Sequence, residues 1–265
     1  ERGAIFVEEE TEVPEGETVI FSAHGVAPSV HANARERRLD TIDATCPLVT
    51  KVHVEARRYA AEGYEIALIG HEGHEEVVGT TGEAPDAIVL VQTVEDAERV
   101  EFADAERVAY ITQTTLSVDD TREIIAVLKR RFPAIHGPDT KTICYATQNR
   151  QLAVRVIARR AERLIVCGAR NSSNTNRLCE VAASEGRPAL LMQDPGDLTL
   201  SFIDGAAVIG ITAGASAPEA LVQEALVQLA RWRRVSVEEV CVTEEGTRFA
   251  PVDLSRIVPW LADAS

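Results

Sequence analysis

Short apolar runs of strand character alternate with amphipathic stretches of helical period along the whole sequence, and this alternation limits the fold more than any other feature. Strands are expected at Ala4–Val7, Thr18–Ser22, Thr41–Ala44, Glu65–Ile69 and Ile88–Val91. Further strands are expected at Val108–Thr112, Arg163–Val166, Ala189–Met192 and Ala207–Ile211. Between several of them the spacing predicts helices over Leu48–Glu62, Val118–Arg131, Gln148–Ala161, Asn174–Glu185 and Pro218–Trp232. Strands separated by helices of this length form βαβ units and mainly parallel sheets. Right-handed crossovers then place helices on both faces of each sheet.

The Gly137–Pro138 pair, following Arg130-Arg131-Phe132-Pro133, is the clearest punctuation and a candidate sub-domain boundary. A softer one follows Trp232, after which Val235–Ser265 reads as a tail of strand and loop. Neither low-complexity sequence nor a strong internal repeat interrupts the pattern. With 45% apolar and 26% charged residues, the 265-residue chain has the composition of an ordinary globular protein. No apolar run approaches the roughly 18–20 residues of a membrane-spanning helix, and no signal peptide is visible, although the sequence opens on Glu1.

A net charge of −15 repels phosphate backbones and argues against a nucleic-acid partner. An anionic small molecule would need a local site of fixed dipoles or a few donors. The five cysteines, Cys46, Cys144, Cys167, Cys179 and Cys241, are odd in number and far apart. They do not form a secreted disulfide framework; reduced thiols in a cytoplasmic setting fit better. None forms a C-x-x-C pair, so spacing by itself defines no metal site.

Polar residues concentrate where strands hand over to helices. These turns read Ala23-His24-Gly25-Val26, Thr45-Cys46-Pro47, Gly70-His71-Glu72-Gly73-His74-Glu75-Glu76, Thr112-Gln113-Thr114-Thr115, Asn171-Ser172-Ser173-Asn174 and Thr212-Ala213-Gly214-Ala215-Ser216. In parallel α/β sheets the carboxyl ends of strands meet at the ligand crevice, so one polar pocket is the economical reading. Ser172, Ser173, Asn174 and Ser216 could hold a diphosphate at helix N-termini, where backbone N–H groups and the dipole favour anions. The plain alternative is helix capping, and Ser216 with Glu219 fits a capping box.

Several familiar motifs fail on spacing. His71 and His74 stand as H-E-x-H, too close for the two imidazoles of a zinc protease helix. Gly214-Ala215-Ser216-Ala217-Pro218 has proline where a hydrolase elbow needs glycine. Neither a P-loop nor G-x-G-x-x-G is present. Cys46 and Cys144 each precede a helix, where a thiolate is favoured; both a metal ligand and a buried structural thiol remain open for them. Cys167 ends an apolar strand and Cys179 lies within a helix, which favours structural roles.

The strings are also similar to those of a known family. Phe21-Ser22-Ala23-His24-Gly25-Val26, Asp43-Ala44-Thr45-Cys46-Pro47-Leu48-Val49-Thr50-Lys51-Val52-His53 and Thr112-Gln113-Thr114-Thr115-Leu116-Ser117 resemble the LytB reductases. So do Ile143-Cys144-Tyr145-Ala146-Thr147-Gln148-Asn149-Arg150-Gln151, Asn171-Ser172-Ser173-Asn174-Thr175-Asn176-Arg177-Leu178 and Thr212-Ala213-Gly214-Ala215-Ser216-Ala217-Pro218. The match runs in family order from Glu1 to about Leu229.

This resemblance implies an oxidoreductase of isoprene biosynthesis. The implied reaction is two-electron reductive dehydroxylation of an allylic diphosphate, 4-hydroxy-3-methylbut-2-enyl diphosphate, to isopentenyl and dimethylallyl diphosphates. It implies a [4Fe–4S] cluster on three cysteines with one iron open, and ferredoxin or flavodoxin as electron donor. By motif, Cys46 and Cys144 correspond to two cluster ligands, and Glu76 to the proton donor. His24, His74, Thr114, Ser172, Ser173, Asn174 and Ser216 correspond to substrate contacts. The family's first cysteine, in a Gly-Phe-Cys-like motif, has no counterpart in these residues.

The implied fold is three α/β sub-domains around the cluster, with 1–46 as a remnant of the first, 47–138 the second, 139–232 the third and 233–265 a tail. On this resemblance the stretch would be N-terminally truncated and, lacking one cluster cysteine, inactive. Its rivals are a diphosphate-binding module without catalysis and a zinc enzyme built on Cys46, Cys144 and a histidine.

Overall fold

The computed structural model describes residues 3–138, 143–244 and 246, and it organises them as three separate parallel sheets. Two strands, β1 (Thr18–Phe21) and β2 (Asp40–Asp43), pair in parallel, joined by helix α1 (Pro28–Glu36). The second sheet has the order β4-β3-β5, with β3 (Glu65–Ile69) central between β4 (Ile88–Val91) and β5 (Val108–Thr112). The third repeats this plan as β7-β6-β8, with β6 (Arg163–Cys167) between β7 (Ala189–Met192) and β8 (Ile209–Ala213). All strand pairs are parallel, as the βαβ pattern predicts.

Burial follows from position in these sheets. All five residues of β5, and all but the first of β3 and β6, are buried. Such strands are covered on both faces and read as continuous apolar runs rather than as alternations. By contrast, β1 buries Phe21 and leaves Ile20 64% exposed. The helices that cover the second sheet include α2 (Pro47–Ala61), whose Val52, Ala56 and Tyr59 pack on Ile66, Leu68, Ala109 and Ile111. Around the third sheet, α6 (Tyr145–Ala158) and α7 (Ser173–Ser184) contribute Val154, Ala158, Leu178 and Val181 to a core with Leu164 and Val166. The last long helix, α9 (Glu219–Trp232), covers the other face through Ala225 and Leu229.

The described residues fall into two compact units. The first holds residues 3–114 and 119–138, with the β1-β2 and β4-β3-β5 sheets. It also includes α3 (Glu75–Glu83), α4 (Val94–Arg99) and most of α5 (Val118–Arg131). The second holds residues 115–118, 143–244 and 246, with the β7-β6-β8 sheet and the short helix α8 (Leu200–Ile203).

Some expectations shift. Ala4–Val7 forms no strand: Ile5 and Phe6 are 88% and 95% exposed, and no ladder partner occurs among the described residues. Strand propensity without a partner leaves the backbone unpaired. The last strand lies two residues later than expected, and α6 begins three residues earlier, directly after Cys144. Residues 235–244 carry no helix or strand, and the rest of the expected tail element lies outside the described residues.

Candidate active site

In the first unit, the residues singled out by motif lie at strand ends and helix starts. Cys46 is the N-cap of α2, with Pro47 at the first helical position, where its missing N–H costs nothing. Its backbone N–H donates to the Ala23 carbonyl at 3.0 Å, which ties the start of α2 to the turn carrying His24. His24 follows β1, and its ring meets that of His74 edge-on with centroids 5.5 Å apart. The His24 Nδ1 donates to the Glu75 carboxylate at 2.7 Å, since a carboxylate only accepts.

His74 caps α3 with its ring: Nδ1 accepts from the Glu76 N–H at 3.1 Å. That bond fixes the neutral tautomer with its hydrogen on Nε2, a donor aimed away from the helix. Burial pushes the pKa of His74 below its ordinary value, which favours this neutral form. Glu76, in the first turn of α3, is 1% exposed. Thr114, just after β5, donates to it twice, from its N–H at 2.6 Å and from its hydroxyl at 3.0 Å. Those donors stabilise the carboxylate, but desolvation outweighs them and pushes its pKa up to about 7. A carboxyl poised there can hold a proton at neutral pH and release it.

In the second unit the residues singled out at the corresponding turns are neutral, and the one charged side chain of the turn after β6, Arg170, is paired with Asp197. Cys144 is the N-cap of α6, with backbone angles close to those of Cys46. Ser172 caps α7 by accepting from the Thr175 N–H at 3.3 Å, so the plain capping role is real for this residue. The Ser173 hydroxyl accepts from the Thr115 hydroxyl at 3.1 Å. Asn174, 4% exposed, bridges two segments: its amide donates to the Thr147 hydroxyl at 3.2 Å, and its carbonyl accepts from the Ala215 N–H at 2.9 Å. Ser216 lies exposed in the turn after β8. The capping box expected of it does not form: α9 starts at Glu219 with Pro218 as a cap that makes no side-chain bond. Proline's fixed φ and missing N–H make Pro218 itself the break, and the helix begins too late for Ser216 to reach its first turn.

All five cysteines are free. Cys46 and Cys144 are partly exposed, whereas burial pushes the thiols of Cys167 and Cys179 up to about 11. The latter pair suits packing, and the former pair suits thiolate ligation of a soft metal centre. Three contributors were not singled out from sequence: Glu75, which holds His24; Thr147, which holds Asn174; and the Ala215 N–H. Only Glu75 left a signal, as a carboxylate at the start of a helix beside a histidine turn.

Comparison with known proteins agrees with this geometry. The family model described as LytB protein matches residues 1–230. A 4-hydroxy-3-methylbut-2-enyl diphosphate reductase of Acidothermus cellulolyticus is 56% identical over 257 residues, covering 96% of this chain and 76% of that protein. A Mycobacterium tuberculosis protein named 4-hydroxy-3-methylbut-2-enyl diphosphate reductase 2 is 54% identical over 249 residues, covering 94% of this chain and 74% of that one. Among solved structures, the E-1-hydroxy-2-methyl-but-2-enyl-4-diphosphate reductase from Plasmodium falciparum superimposes with a TM-score of 0.91 at 35% identity, covering 99% of this chain and 82% of that one. An α/β chain of parallel sheets with matching motifs over this length belongs to the LytB family.

Proposed function

We propose that this chain is a reductase that removes the hydroxyl of 4-hydroxy-3-methylbut-2-enyl diphosphate, giving isopentenyl and dimethylallyl diphosphates. The observation that carries the reading is the Glu76 carboxyl, buried, held by Thr114, and poised near neutrality. The overall change consumes two electrons and two protons: the C–O bond breaks, one proton leaves with the oxygen as water, and one ends on carbon. Glu76 supplies the proton to the departing hydroxyl, and Thr114 both aims the carboxyl and faces the same oxygen. The His24 ring and the Nε2–H of His74 serve as diphosphate and substrate-hydroxyl contacts. Ser172, Ser173, Asn174 and Ser216 contribute neutral donors and helix-start N–H groups to the diphosphate.

Cys46 and Cys144 would hold a [4Fe–4S] cluster, which when bound supplies electrons and Lewis acidity. Their free thiols at helix N-termini suit that role. Ferredoxin or flavodoxin is the proposed donor of electrons, in a cytoplasmic setting suited to reduced thiols. Among the described residues no helix is long and apolar enough to cross a membrane. The proposed organisation is three sub-domains, 1–46, 47–138 and 139–232, and the tail 233–265; each of the first three contains one of the three sheets.

Anaerobic reconstitution tests this reading. The full-length protein should give a brown [4Fe–4S] absorbance and turnover, both lost in Cys46→Ser and Cys144→Ser. A protein that binds pyrophosphate but takes up no iron would instead be a binding module. One that takes up zinc and no iron would be a zinc enzyme.

A further inference from the structure

Four segments of the first unit carry proposed site residues, and one buried histidine, itself on the helix that follows Cys46, meets two of the others: the turn with His24 and the helix capped by His74. The turn after His24 is stripped to backbone where it packs. Gly25 has φ +76, and a Cβ there would lie 2.9 Å from Cε1 and 3.2 Å from Nε2 of His53. From α3, Gly79 lies so close that a Cβ on it would sit 3.0 Å from the Gly25 carbonyl oxygen. A Cβ on Gly82 would sit 2.3 Å from that of Ala27. The turn therefore lies between α2 and α3 with no side chain of its own as spacer.

His53 stands two turns after Cys46 on α2, on the same side of the helix. Its Nδ1 meets Glu83 at 2.8 Å, at the far end of the helix that begins with His74 and Glu76. The Arg57 guanidinium donates to the other Glu83 oxygen at 2.6 Å. The His53 and Glu83 side chains are 7% and 4% exposed. A carboxylate only accepts, so Nδ1 carries the hydrogen and Nε2 is the bare nitrogen. That Nε2 is buried without a hydrogen-bond partner and faces Gly25. Burial pushes the pKa of His53 below its ordinary value, in keeping with a neutral ring that carries no hydrogen on Nε2. Buried polar groups without partners are rare in folded proteins, and a hydrogen bond to a charged group adds only about 1.5–3 kcal/mol net. Holding two helices together therefore does not by itself account for this pair. Directional control of the turn does.

We propose that His53, oriented by Glu83, is a positioning residue: its ring sets the height of the His24–Gly25 turn against Cys46 on α2 and against His74 and Glu76 on α3. The inference rests on the reading of His24 as a diphosphate contact. His53 itself touches no substrate.

The test uses the full-length protein, with pyrophosphate as probe, calorimetry for affinity and isotope-labelled histidine NMR for the rings. His53→Asn retains a donor for Glu83 but withdraws the ring edge from Gly25. His53→Ala removes both. Val52→Ala, on the same helix but facing the apolar core, is the control for lost packing. Positioning predicts that both His53 variants weaken pyrophosphate about tenfold, the scale of one charged hydrogen bond, and shift the His24 ring signals. Val52→Ala should lower the melting temperature and leave affinity and signals unchanged. A folded His53→Asn protein with wild-type affinity and unmoved His24 signals would overturn the inference. So would Val52→Ala weakening pyrophosphate as much as the His53 variants, because packing alone would then explain the loss. If His24→Ala itself leaves pyrophosphate affinity intact, the underlying assignment of His24 fails, separately from the role of His53.

Discussion

The two units place polar residues at the same architectural position, the carboxyl ends of parallel strands, yet stock it with different chemistry. In the first, the turns after β1, β3 and β5 carry His24, His74, Glu76 and Thr114, and two of these have pKa values displaced by burial. In the second, the turns after β6 and β8 carry Ser172, Ser173, Asn174 and Ser216, none of which ionises near neutral pH. The first set can hold and move protons. The second set offers fixed dipoles, whose attraction for an anion does not change across the pH range. On the proposed reading, proton chemistry then belongs to the first unit alone, and the donors of the second bind without titrating.

The sharpest way to break that division is Glu76→Gln. The amide can accept from the Thr114 N–H and donate to its hydroxyl, so shape and bonding survive while the transferable proton is gone. Turnover of the complete, cluster-loaded protein should fall about 100-fold or more, the range for a lost general acid, with its absorbance unchanged. Near-normal turnover would reduce Glu76 to a helix-start carboxylate worth a few tenths of a kcal/mol.

The same residue makes a stability prediction. A carboxyl of ordinary pKa ionises in the unfolded chain near pH 4.5, while in the folded protein Glu76 holds its proton up to about pH 7. Folding then binds an extra proton in that window, so this contribution to stability falls as pH rises from 4.5 to 7 and is flat above. The displacement corresponds to about 3 kcal/mol at most. Chemical denaturation of wild type and Glu76→Gln across that window should show the decline only in wild type. Parallel curves would mean that Glu76 is already ionised in the fold.

Asn174→Ala should produce a loss in the other unit without any such pH signature. It removes bonds to Thr147 and to the Ala215 N–H in a buried position, which costs about 2 kcal/mol. Ser172→Ala, which removes one cap from α7, should cost about 1 kcal/mol. Equal denaturant-derived losses at pH 5 and pH 8 would support the division of labour. A marked pH dependence in either variant would count against it.

Legibility in the sequence tracks how local the cause is. The spans of β3, β4, β5, β7 and α5 match their expected limits because unbroken apolar runs and a strong 3.6-residue period need no tertiary help. Helix α3 is implied only by the turn before it, and the sequence predicts no bounds for it. Six of its nine residues are Val, Thr or Gly, poor helix formers by intrinsic propensity. It forms because Gly79 and Gly82 let it lie directly on the backbone of the 25–27 turn. The Ala4–Val7 run fails in the opposite way, since its propensity for strand meets no ladder partner among the described residues.

The sequence by itself determined the α/β class, the parallel strands, the positions of Cys46 and Cys144 before their helices, and the family strings. Each of these depends on residue type and on spacing within a few turns of chain. Only the tertiary structure decided what the candidate residues can do. Glu76 holds its proton toward neutral pH because it is buried, even though Thr114, 38 positions away, supplies two donors that favour the carboxylate. His53 reads as one polar residue on an amphipathic helix until Glu83 and Gly25 close around its ring. Desolvation and pairing act through space rather than along the chain, and a string of residue types does not contain the distances on which they depend.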